Sequence, residues 1–434
     1  MKYPIPPGVF DIIPQDDKEP WKSSYLWSFL EQTIRQLCLE FGFEEIRTPM
    51  FERTELFQRG VGEASDIVSK EMYTFLDKGG RSLSLRPEGT APAMRAFIDQ
   101  QLHVKKPIHK LFYIAPMFRY ERAQAGRYRQ HHQFGAEVIG VSSPEQDAEL
   151  IAMLYTFYKR LGLKNLSLFI NSIGDSETRL IFKKALKEYL EPHLNSLSLD
   201  SKTRFEVNPL RILDSKDLKD REILEGAPSI LDFLNGESKE HYEKLKEYLT
   251  ILDIPYKENA QLVRGLDYYN RTVFEVVAGE LGAQNSIGGG GRYDDLLRDL
   301  GGPDLPAIGF GTGLERVLQT LLKQQCLLPK PGHPLLFLIP LGENAKRKCF
   351  HLLHRLRQEH IPAQMDFSGK KVGKSLQYAD SIGSDFATVI GDEELESGKI
   401  ELKHLATGKT TKIEIEALIK ILTSSMQEKS CLTT

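Results

Sequence analysis

The chain has 434 residues, of which 41% are hydrophobic and 27% charged, and its 57 Lys and Arg residues nearly balance its 60 Asp and Glu residues. These figures are typical of a globular protein and exclude a disordered, collagen-like or coiled-coil description of the whole chain. A length of this order indicates roughly two to four domains, each with its own core.

Neither targeting nor disulfide signals are indicated. No apolar run approaches the ~20 residues that a membrane-spanning helix needs, and the first residues, MKYPIPPGVFDIIPQDD, lack the apolar core of a signal peptide. We therefore expect a cytoplasmic protein that does not enter the membrane. Its cysteines, at positions 38, 326, 349 and 431, lie far apart without zinc-like spacing, which argues against a disulfide framework and a structural metal site.

Helix and strand patterns alternate in the N-terminal third of the chain. Apolar residues at three- and four-residue spacing predict an amphipathic helix over residues 21–39. Residues 44–51 have strand character, but Pro49 interrupts them, and proline in a strand favours an edge or a contact between subunits. Residues 110–121 and 131–140 are apolar strands on either side of a polar loop, which predicts a long antiparallel hairpin.

The rest of the chain divides into an interrupted first domain and a smaller second one. Residues 145–255 are rich in helical patterns, and we interpret about 175–255 as a helical insertion in a domain that extends over 1–325. Prolines and polar residues predict a linker at 326–334. Alternating strand and helix patterns then predict a small α/β domain with mixed or parallel strands over 335–434.

The glycine clusters do not match the standard nucleotide-binding patterns. Residues 368–375 resemble a P-loop, but Ser368 stands where the first glycine is required. The clusters at 288–291 and 309–313 lack the third glycine of the dinucleotide-binding fingerprint. These departures disfavour a P-loop enzyme and a Rossmann dehydrogenase.

Polar side chains on the predicted hairpin suggest recognition of an anion and an amine. Residues two or four apart share a face of a strand, so we expect Arg119 and Glu121 to project together, and likewise Gln133 and Glu137. An arginine can clamp a phosphate or carboxylate, and a glutamate can accept hydrogen bonds from an amine. The pattern by itself is equally typical of a solvated sheet with charges outside.

Three further charged residues stand in apolar surroundings. Glu88 lies within SLRPEGTAPAM, Arg264 within QLVRGLDYYNRTVFEV, and Arg316 follows the glycines at 309–313. Taken singly, each is more simply read as a member of a structural ion pair.

These charged residues all lie in segments that resemble the motifs of one enzyme family. FGFEEIRTPMF, MFRYERAQAGRYRQHHQF and GFGTGLERVL resemble the three motifs of class II aminoacyl-tRNA synthetases. RGVGEASDIVSKEMYTF, LRPEGTAPAMR, LVRGLDYYNRTVFEV and GGGGRYDDL resemble the histidyl-tRNA synthetase family in particular, and the likeness covers nearly the whole chain. It implies an α+β fold, with an antiparallel sheet of six or seven strands flanked by helices, a helical insertion and a C-terminal anticodon-binding domain.

The resemblance implies a reaction between histidine and ATP to give histidyl-adenylate and pyrophosphate, followed by transfer of histidine to the 3′ end of tRNA(His). ATP is therefore a substrate, and Mg²⁺ is expected to be bound mainly through its phosphates, with no metal site on the protein. A homodimer is also implied. No enzyme nucleophile is required, because catalysis rests on positioning and on charge stabilisation at the α-phosphate.

The resemblance also assigns the site residues. Arg119 and Arg264 are the catalytic cations at the α-phosphate. Within the histidine pocket, Glu88 and Tyr269 pair with the imidazole, with Tyr268 nearby, whereas Thr90, Gln133 and Glu137 bind the amino group. The complete sets are, for histidine, Glu88, Gly89, Thr90, Arg119, Gln133, Glu137, Arg264, Tyr268 and Tyr269; for ATP, Arg119, Glu121, Arg127, His131 and Arg316; and for the tRNA acceptor end, Arg122 and Gln124.

His131 departs from the pattern of the family, and the C-terminal domain has a cluster of basic residues. The family commonly has phenylalanine stacked on adenine where this sequence has His131, and an imidazole stacks more weakly. In the C-terminal domain the basic residues suit an RNA backbone, although they equally suit a solvated helix face and loop. They are Lys346, Arg347, Lys348, Arg355, Arg357, Lys370, Lys371 and Lys374.

Two other functions are alternatives to the activation of histidine. A catalytically inactive paralogue that acts as an ATP phosphoribosyltransferase regulatory subunit would lack motif residues and the anticodon domain, whereas this chain retains Glu88, Arg119, Glu121, Arg264 and Arg316. A class II synthetase for another amino acid is disfavoured, because Glu88 and the Tyr268-Tyr269 pair match the motifs of the histidine enzymes.

Overall fold

The computed structural model describes residues 3–62, 65–121, 127–279 and 286–431, with side chains as far as residue 427. The chain divides into two compact units, Met1–Pro329 and Lys330–Thr434. This division falls inside the stretch 326–334 for which a linker is predicted. Among the described helices, none combines the length and apolar character needed to cross a bilayer.

Unit 1 contains a large sheet and a small one. Within the described residues its strands are β1 (Glu44–Glu45), β2 (Phe51–Arg53), β3 (Thr74–Leu76), β4 (Ser82–Leu85), β5 (His109–Phe118), β6 (Gln130–Ile139), β7 (Leu166–Ser172), β8 (Tyr256–Glu258), β9 (Asn270–Ala278), β10 (Ser286–Arg292) and β11 (Ala307–Gly313). Its helices are α1 (Ser24–Glu40), α2 (Thr54–Val61), α3 (Thr90–Asp99), α4 (Pro144–Arg160), α5 (Ser176–Leu190), α6 (Leu199–Val207), α7 (Leu218–Leu224), α8 (Gly236–Ile251), α9 (Leu296–Asp299) and α10 (Leu314–Lys323).

The large sheet has the expected antiparallel centre. The described strands follow the order β1-β5-β6-β11-β10-β9-β7-β8, and every pairing between β5 and β7 in that order is antiparallel. The short edge strands β1 and β8 pair in parallel and extend the sheet to eight strands of the described chain. The α+β expectation is therefore confirmed, with these two parallel edges added.

The stretch 44–51 is not a single interrupted strand, as the sequence suggested, because its two ends enter different sheets. β1 joins the large sheet, whereas β2 belongs to the small sheet β2-β4-β3. Pro49 has no N–H to continue a ladder. The Arg86 guanidinium instead binds the carbonyls of Thr48 and Pro49, at 2.9 and 3.3 Å, and so holds the chain where it crosses between the sheets.

The predicted hairpin is formed by β5 and β6, which pair from His109 with Ile139 to Phe118 with Gln130. Gln133 and Glu137 both lie on β6, four residues apart, as expected. Arg119 and Glu121, in contrast, are not on a strand, because the ladder ends at Phe118. They enter the irregular chain beyond it, where the Arg119 N–H donates to the Arg129 carbonyl at 2.9 Å.

Apolar faces of the helices cover the large sheet. In α1, Leu26, Leu30, Ile34 and Leu37 are buried at the spacing that predicted the helix. The helix begins later than predicted, since residues Pro20–Lys22 form a separate 3₁₀ turn. Helices α5 to α8 occupy the region between β7 and β9 where a helical insertion is predicted.

A buried ion pair connects the insertion to the sheet. Arg292 on β10 donates through Nε to Asp147 on α4 at 2.8 Å, and His241 on α8 lies 2.8 Å from the same carboxylate. The side chains of Arg292 and Asp147 are both inaccessible to solvent. Breaking such a pair by removing one partner strands a buried charge, which makes it a strong constraint on how α4, α8 and β10 pack.

Unit 2 is the small α/β domain that the sequence predicted. Its described strands are β12 (Leu336–Pro340), β13 (Ala363–Met365), β14 (Phe386–Ile390), β15 (Lys399–His404) and β16 (Thr410–Glu414). They lie in the order β13-β12-β14-β15-β16, the first three parallel and the last two antiparallel. The helices are α11 (Glu343–Gln358), α12 (Val372–Ser381), α13 (Asp392–Ser397) and α14 (Leu418–Cys431).

Candidate active site

One cavity on the large sheet collects most of the predicted site residues. It lies over β6, β10 and β11, between the loop that precedes α3 and the chain that precedes β9. The predicted residues that line it are Glu88, Thr90, Arg119, Glu121, Arg127, His131, Gln133, Arg264, Tyr268, Tyr269 and Arg316. Glu137 and Gly89 lie directly beside it, and Arg122 and Gln124 fall outside the described residues.

Glycines form the floor of the cavity, a role that the sequence left open. Gly289 pairs with Gly311, and Gly291 with Gly309, across β10 and β11. A Cβ atom on any of them would press on a predicted site side chain: Arg264 above Gly289, Tyr269 above Gly291, Glu137 above Gly309 and Gln133 above Gly311. The absence of side chains on this face therefore lets functional groups from other elements lie directly on the backbone.

Glu88 is buried at the start of α3. Its Oε2 accepts a hydrogen bond from the Thr90 N–H at 2.7 Å, and its Oε1 accepts one from the Ala91 N–H at 2.8 Å. Helix N-termini favour such carboxylates because their first N–H groups have no partner within the helix. Burial raises the pKa of Glu88, while these N–H groups and the Arg119 guanidinium oppose the rise.

Glu137 lies deeper, among hydroxyl groups. Its Oε1 accepts hydrogen bonds from Thr90 Oγ1 at 2.9 Å and from the Tyr113 hydroxyl at 3.0 Å, and its Oε2 accepts one from the Tyr293 hydroxyl. Burial raises the pKa of Glu137 to about 8, with the hydroxyl donors acting in the opposite direction. Its contacts combine one predicted residue, Thr90, with two tyrosines that sequence reasoning missed.

Tyr113 and Tyr293 left only weak signals in the sequence. Tyr113 lies on β5 among apolar residues and reads as core, but its ring fills the space over Gly89 and Gly135, where a Cβ would overlap it. Tyr293 follows the glycine cluster and contacts the ring of Tyr268, with centroids 5.4 Å apart. Tyr268 in turn contacts Tyr269 at 4.7 Å. The deep end of the cavity is thus an aromatic pocket around one carboxylate.

The arginines occupy the other end. Arg119 is held by its Nε, which donates to the Pro87 carbonyl at 2.8 Å, and Arg316 donates to the Ser286 carbonyl at 2.8 Å. Arg127 Nε lies 3.2 Å from Glu121 Oε2. Several guanidinium groups that converge on one cavity are suited to bind a polyphosphate.

Arg264 lies between the two ends. Its Nη1 donates to Glu275 Oε1 at 2.9 Å, and Ser286 Oγ donates to the same oxygen at 2.8 Å. The buried Nε finds no hydrogen-bond acceptor among the described residues. Buried donors are normally satisfied, so this nitrogen is suited to a ligand. Neither Glu275 nor Ser286 was singled out in the sequence: Glu275 stands within the segment LVRGLDYYNRTVFEV but alternates with apolar residues of a strand, and Ser286 precedes the glycine cluster.

His131, at the position expected to stack on adenine, has an uncharged ring. Burial lowers its pKa to about 3, and the charges of Arg119, His132 and Arg316 act in the same direction. His131 lies opposite Met117 in the hairpin. A neutral imidazole beside two arginines avoids adding a repelling charge and remains available for stacking.

A protein-bound metal finds no ready ligands here. Within the described parts of the chain, no group of three or more His, Cys, Asp and Glu side chains is arranged to hold an ion. The cavity combines cations, a carboxylate at a helix N-terminus and an aromatic pocket. Such an arrangement can bind a zwitterionic amino acid next to a polyphosphate and bring the two together.

Comparison with known proteins identifies the family. Residues 22–317 match the model of the histidyl-tRNA synthetase family, and residues 336–425 match that of the anticodon binding domain. The chain is 69% identical over 422 residues to the histidine–tRNA ligase of Protochlamydia amoebophila, covering 97% of this chain and 100% of the relative. It is 46% identical over 422 residues to the Caldanaerobacter subterraneus histidine–tRNA ligase, again covering 97% and 100%.

A solved structure also resembles this chain over nearly its whole length. The apo histidyl-tRNA synthetase of S. aureus is 39% identical and superposes with a TM-score of 0.81, covering 97% of this chain and 100% of that chain. The matches in sequence and structure extend over both units, and the cavity of unit 1 is lined by the motif residues through which the chain resembles such enzymes. The chain therefore belongs to the histidyl-tRNA synthetase family.

Proposed function

We propose that this protein activates L-histidine with ATP and transfers it to the 3′ end of tRNA(His). In the first step a carboxylate oxygen of histidine attacks the α-phosphorus of ATP, the bond to the bridging oxygen breaks, and pyrophosphate leaves. In the second, the terminal ribose hydroxyl of the tRNA attacks the carbonyl of the adenylate and AMP leaves. The observation that carries the proposal is that Arg264, Glu137 and Tyr269 lie on one glycine floor within a chain of this family.

The arginines supply the electrostatic part of the first step. Arg119 and Arg264 bind the α-phosphate, where negative charge shifts as pyrophosphate leaves, and preorganised cations stabilise such charge without reorganising. Arg127 and Arg316 bind the β- and γ-phosphates. Glu121 accepts from the adenine amine, and the neutral His131 stacks on the adenine ring.

Two buried carboxylates, Glu88 and Glu137, bind different ends of histidine. We assign them the reverse of the roles that the resemblance implies. The amino acid's own carboxylate must reach the α-phosphate, so its amino group lies near Arg119. Glu88 is the carboxylate whose pKa Arg119 affects, whereas the groups acting on Glu137 are hydroxyls and Glu88 itself. We therefore assign the amino group to Glu88, with Thr90 and Gln133, and the imidazole to Glu137 and Tyr269.

This assignment also fits selection for histidine. The Glu137 carboxylate accepts from one ring nitrogen and the Tyr269 hydroxyl bonds the other, so that an amino acid without both nitrogens leaves buried polar groups unpaired. Tyr268 and Tyr293 enclose the ring. Mg²⁺ would enter with the ATP phosphates and neutralise part of their charge, because the described protein groups do not form a cage for it.

A cavity in unit 2 is suited to an unpaired base of the tRNA. Among its lining residues are Arg357, Gln364, Phe367, Lys370 and Tyr378. Phe367 is 63% exposed and Tyr378 is 50% exposed, which is unusual for large aromatic rings on a small domain. Exposed rings beside cations stack bases and hold phosphates. Two of the predicted basic residues, Arg357 and Lys370, contribute to it.

The small sheet of unit 1 offers a surface for a second copy of the chain. Phe51 and Phe75 lie on neighbouring parts of this sheet with ring centroids 6.5 Å apart, and they are 52% and 44% exposed. Met50 and Leu76 beside them are 53% and 70% exposed. A contiguous apolar patch of this kind indicates a protein interface, and it coincides with the segment around Pro49 for which a subunit contact is predicted. We propose a cytoplasmic homodimer.

The regulatory-subunit alternative has less support. Such a protein has no need of Arg119, Arg264 and Arg316 in one cavity, and it would not require unit 2. Co-purification with the ATP phosphoribosyltransferase, in the absence of aminoacylation, would favour it.

The first test is histidine-dependent exchange of labelled pyrophosphate into ATP. We expect exchange with histidine and with none of the other amino acids, and a kcat reduced by about 10²- to 10³-fold in Arg264→Ala, the size of effect that follows the loss of one donor to a developing charge. Arg298→Ala, at an exposed arginine outside the cavity, should exchange like the wild type. Absence of exchange from folded wild-type protein would refute the function.

The carboxylate assignment is tested with imidazolepropionic acid, which keeps the ring and carboxylate of histidine but lacks the amino group. Glu88→Gln should weaken histidine binding about tenfold or more and leave imidazolepropionate binding nearly unchanged, because the lost bond is to the amino group. Glu137→Gln should weaken both. Calorimetric titration of each variant measures these affinities, and the reverse pattern would restore the original assignment.

The unit 2 cavity is tested with Phe367→Ala. Loss of a stacking ring should raise the KM for tRNA(His) in aminoacylation by about 5- to 100-fold, since base stacking contributes about 1–3 kcal/mol. Pyrophosphate exchange, which needs no tRNA, should be unaffected. The matched control is Phe350→Ala, a 60% exposed phenylalanine on α11 that does not line the cavity. Equal effects of the two substitutions would argue against the assignment.

The dimer is tested by sedimentation equilibrium. The wild type should sediment with twice the mass of one chain, and Leu76→Glu should dissociate it at micromolar concentration because a charge is buried in an apolar contact. Leu199→Glu places the same charge at an 83% exposed leucine of the insertion and should leave the dimer intact. A monomeric wild type would exclude the proposal.

A further inference from the structure

The chain that carries the histidine pocket is not part of a regular element. Residues 264–269, which we call the recognition segment, include Arg264, Tyr268 and Tyr269 and precede β9. None of these described residues lies in a helix or strand. Irregular backbone has no ladder to satisfy its polar groups, so other groups must hold it in place.

Side chains of the helical insertion supply those bonds. Arg211 Nη1 donates to the Gly265 carbonyl at 2.9 Å, and Arg179 Nη1 donates to the Tyr269 carbonyl at 2.6 Å. Asn208 Nδ2 donates to Asp267 Oδ1 at 2.9 Å. Arg179 lies on α5, and the other two lie between α6 and α7.

The same segment is a wall between two cavities. Arg264, Leu266 and Tyr269 line the site cavity and also a second cavity of about 280 Å³, which Arg179 and Arg211 line as well. Close packing is what usually fixes a side chain, and a cavity removes part of that packing. With space on both sides, the segment depends more heavily on its hydrogen bonds for a fixed position.

We propose that Arg179 and Arg211 are positioning residues for histidine activation, which hold Tyr269 and Arg264 where the substrates require them. The inference rests on the proposed function, because it gives the insertion a task in that reaction. The two arginines act at different points. Arg179 binds the carbonyl of Tyr269 itself, next to the imidazole, whereas Arg211 binds the carbonyl that follows Arg264, next to the α-phosphate.

Arg211 also extends the connection beyond the segment. Its Nη2 lies 3.3 Å from Asp66 Oδ2, and Arg204 lies 3.7 Å from the same oxygen. Asp66 immediately precedes the π-helical turn Ile67–Glu71, whose Glu71 carbonyl accepts from the Tyr120 N–H at 2.7 Å, next to Arg119. The insertion thereby contacts the segment that carries Arg264 directly and is connected to the segment that carries Arg119 through residues 66–71. Errors in its position are expected to be transmitted to the reacting groups.

The experiment compares Arg179→Met and Arg211→Met with Arg221→Met. Methionine keeps an unbranched side chain but removes the donors, and Arg221 is an exposed arginine of α7 that does not touch the recognition segment. Steady-state pyrophosphate exchange gives kcat and the KM values for histidine and ATP, calorimetry without ATP gives the histidine Kd, and thermal melting gives the unfolding midpoint.

The two variants should separate binding from chemistry. Arg179→Met is expected to raise the KM and Kd for histidine about tenfold, with the KM for ATP within about twofold of wild type, because a bond from a charged donor is lost beside the imidazole. Arg211→Met should lower kcat about tenfold with a nearly normal histidine Kd. Arg179→Lys retains one charged donor and should recover most of the loss; it also serves if Arg179→Met does not fold.

The outcomes are distinguishable. If the wild type shows no histidine-dependent exchange, the proposed function fails and the inference fails with it. If the wild type exchanges but Arg179→Met and Arg211→Met behave like Arg221→Met, only the positioning role is overturned. Equal losses for histidine and ATP that accompany a lowered unfolding midpoint, without recovery in Arg179→Lys, would likewise overturn it in favour of a merely structural role.

Discussion

The close approach of functional side chains to a bare sheet is the constraint on which the site depends. A sheet of ordinary residues would fill the space over β10 and β11 with side chains, and the groups that meet there could not do so. The alternate glycines of the two strands remove Cβ atoms from the face on which Arg264, Tyr269, Glu137 and Gln133 converge. The antiparallel centre of the sheet then holds these groups on a rigid base, which is what catalysis by positioning requires.

The second feature of the site is the free-energy cost of burying two carboxyl groups. Glu88 and Glu137 are almost completely removed from water, and a buried carboxylate is stable only when other groups satisfy its oxygens. Backbone N–H groups of α3 donate hydrogen bonds to the Glu88 oxygens, and hydroxyl groups donate to the Glu137 oxygens. Polar groups fixed before substrate arrives need little reorganisation during the reaction, so the same network that satisfies the fold also prepares the site.

The insertion connects these local arrangements to a larger part of the molecule. The buried contact of His241 with Asp147 anchors it to α4, and Asp147 in turn binds Arg292 of the sheet. Its arginines hold the irregular segment before β9. A region that sequence patterns mark only as a helical interruption thus contacts the segment that lines the candidate site. This follows from chain topology, since the insertion leaves the sheet after β7 and returns at β8, and the recognition segment connects β8 to β9.

The sequence by itself determined many of the elements and predicted several residues that line the cavity. Local periodicity is enough to predict α1, the β5-β6 hairpin and the alternation in unit 2, because these patterns depend on neighbours in the chain. The motif resemblance identified Glu88, Arg119, Arg264 and Arg316, which the fold brings to one cavity. It also marked the glycine clusters, although not what they support.

Only the tertiary structure decided which residues that are distant in the chain are in contact. Tyr113, Glu275 and Ser286 read as ordinary strand residues, and Tyr293 as the residue after a glycine cluster, until the sheet order brings them to the site side chains. The end of the hairpin ladder at Phe118, the separation of β1 from β2 and the contacts of Arg179 and Arg211 likewise depend on partners distant in the chain. Periodicity reports which face of an element is apolar, but the partner of a buried polar group is set by the packing of whole elements, and that information is not local.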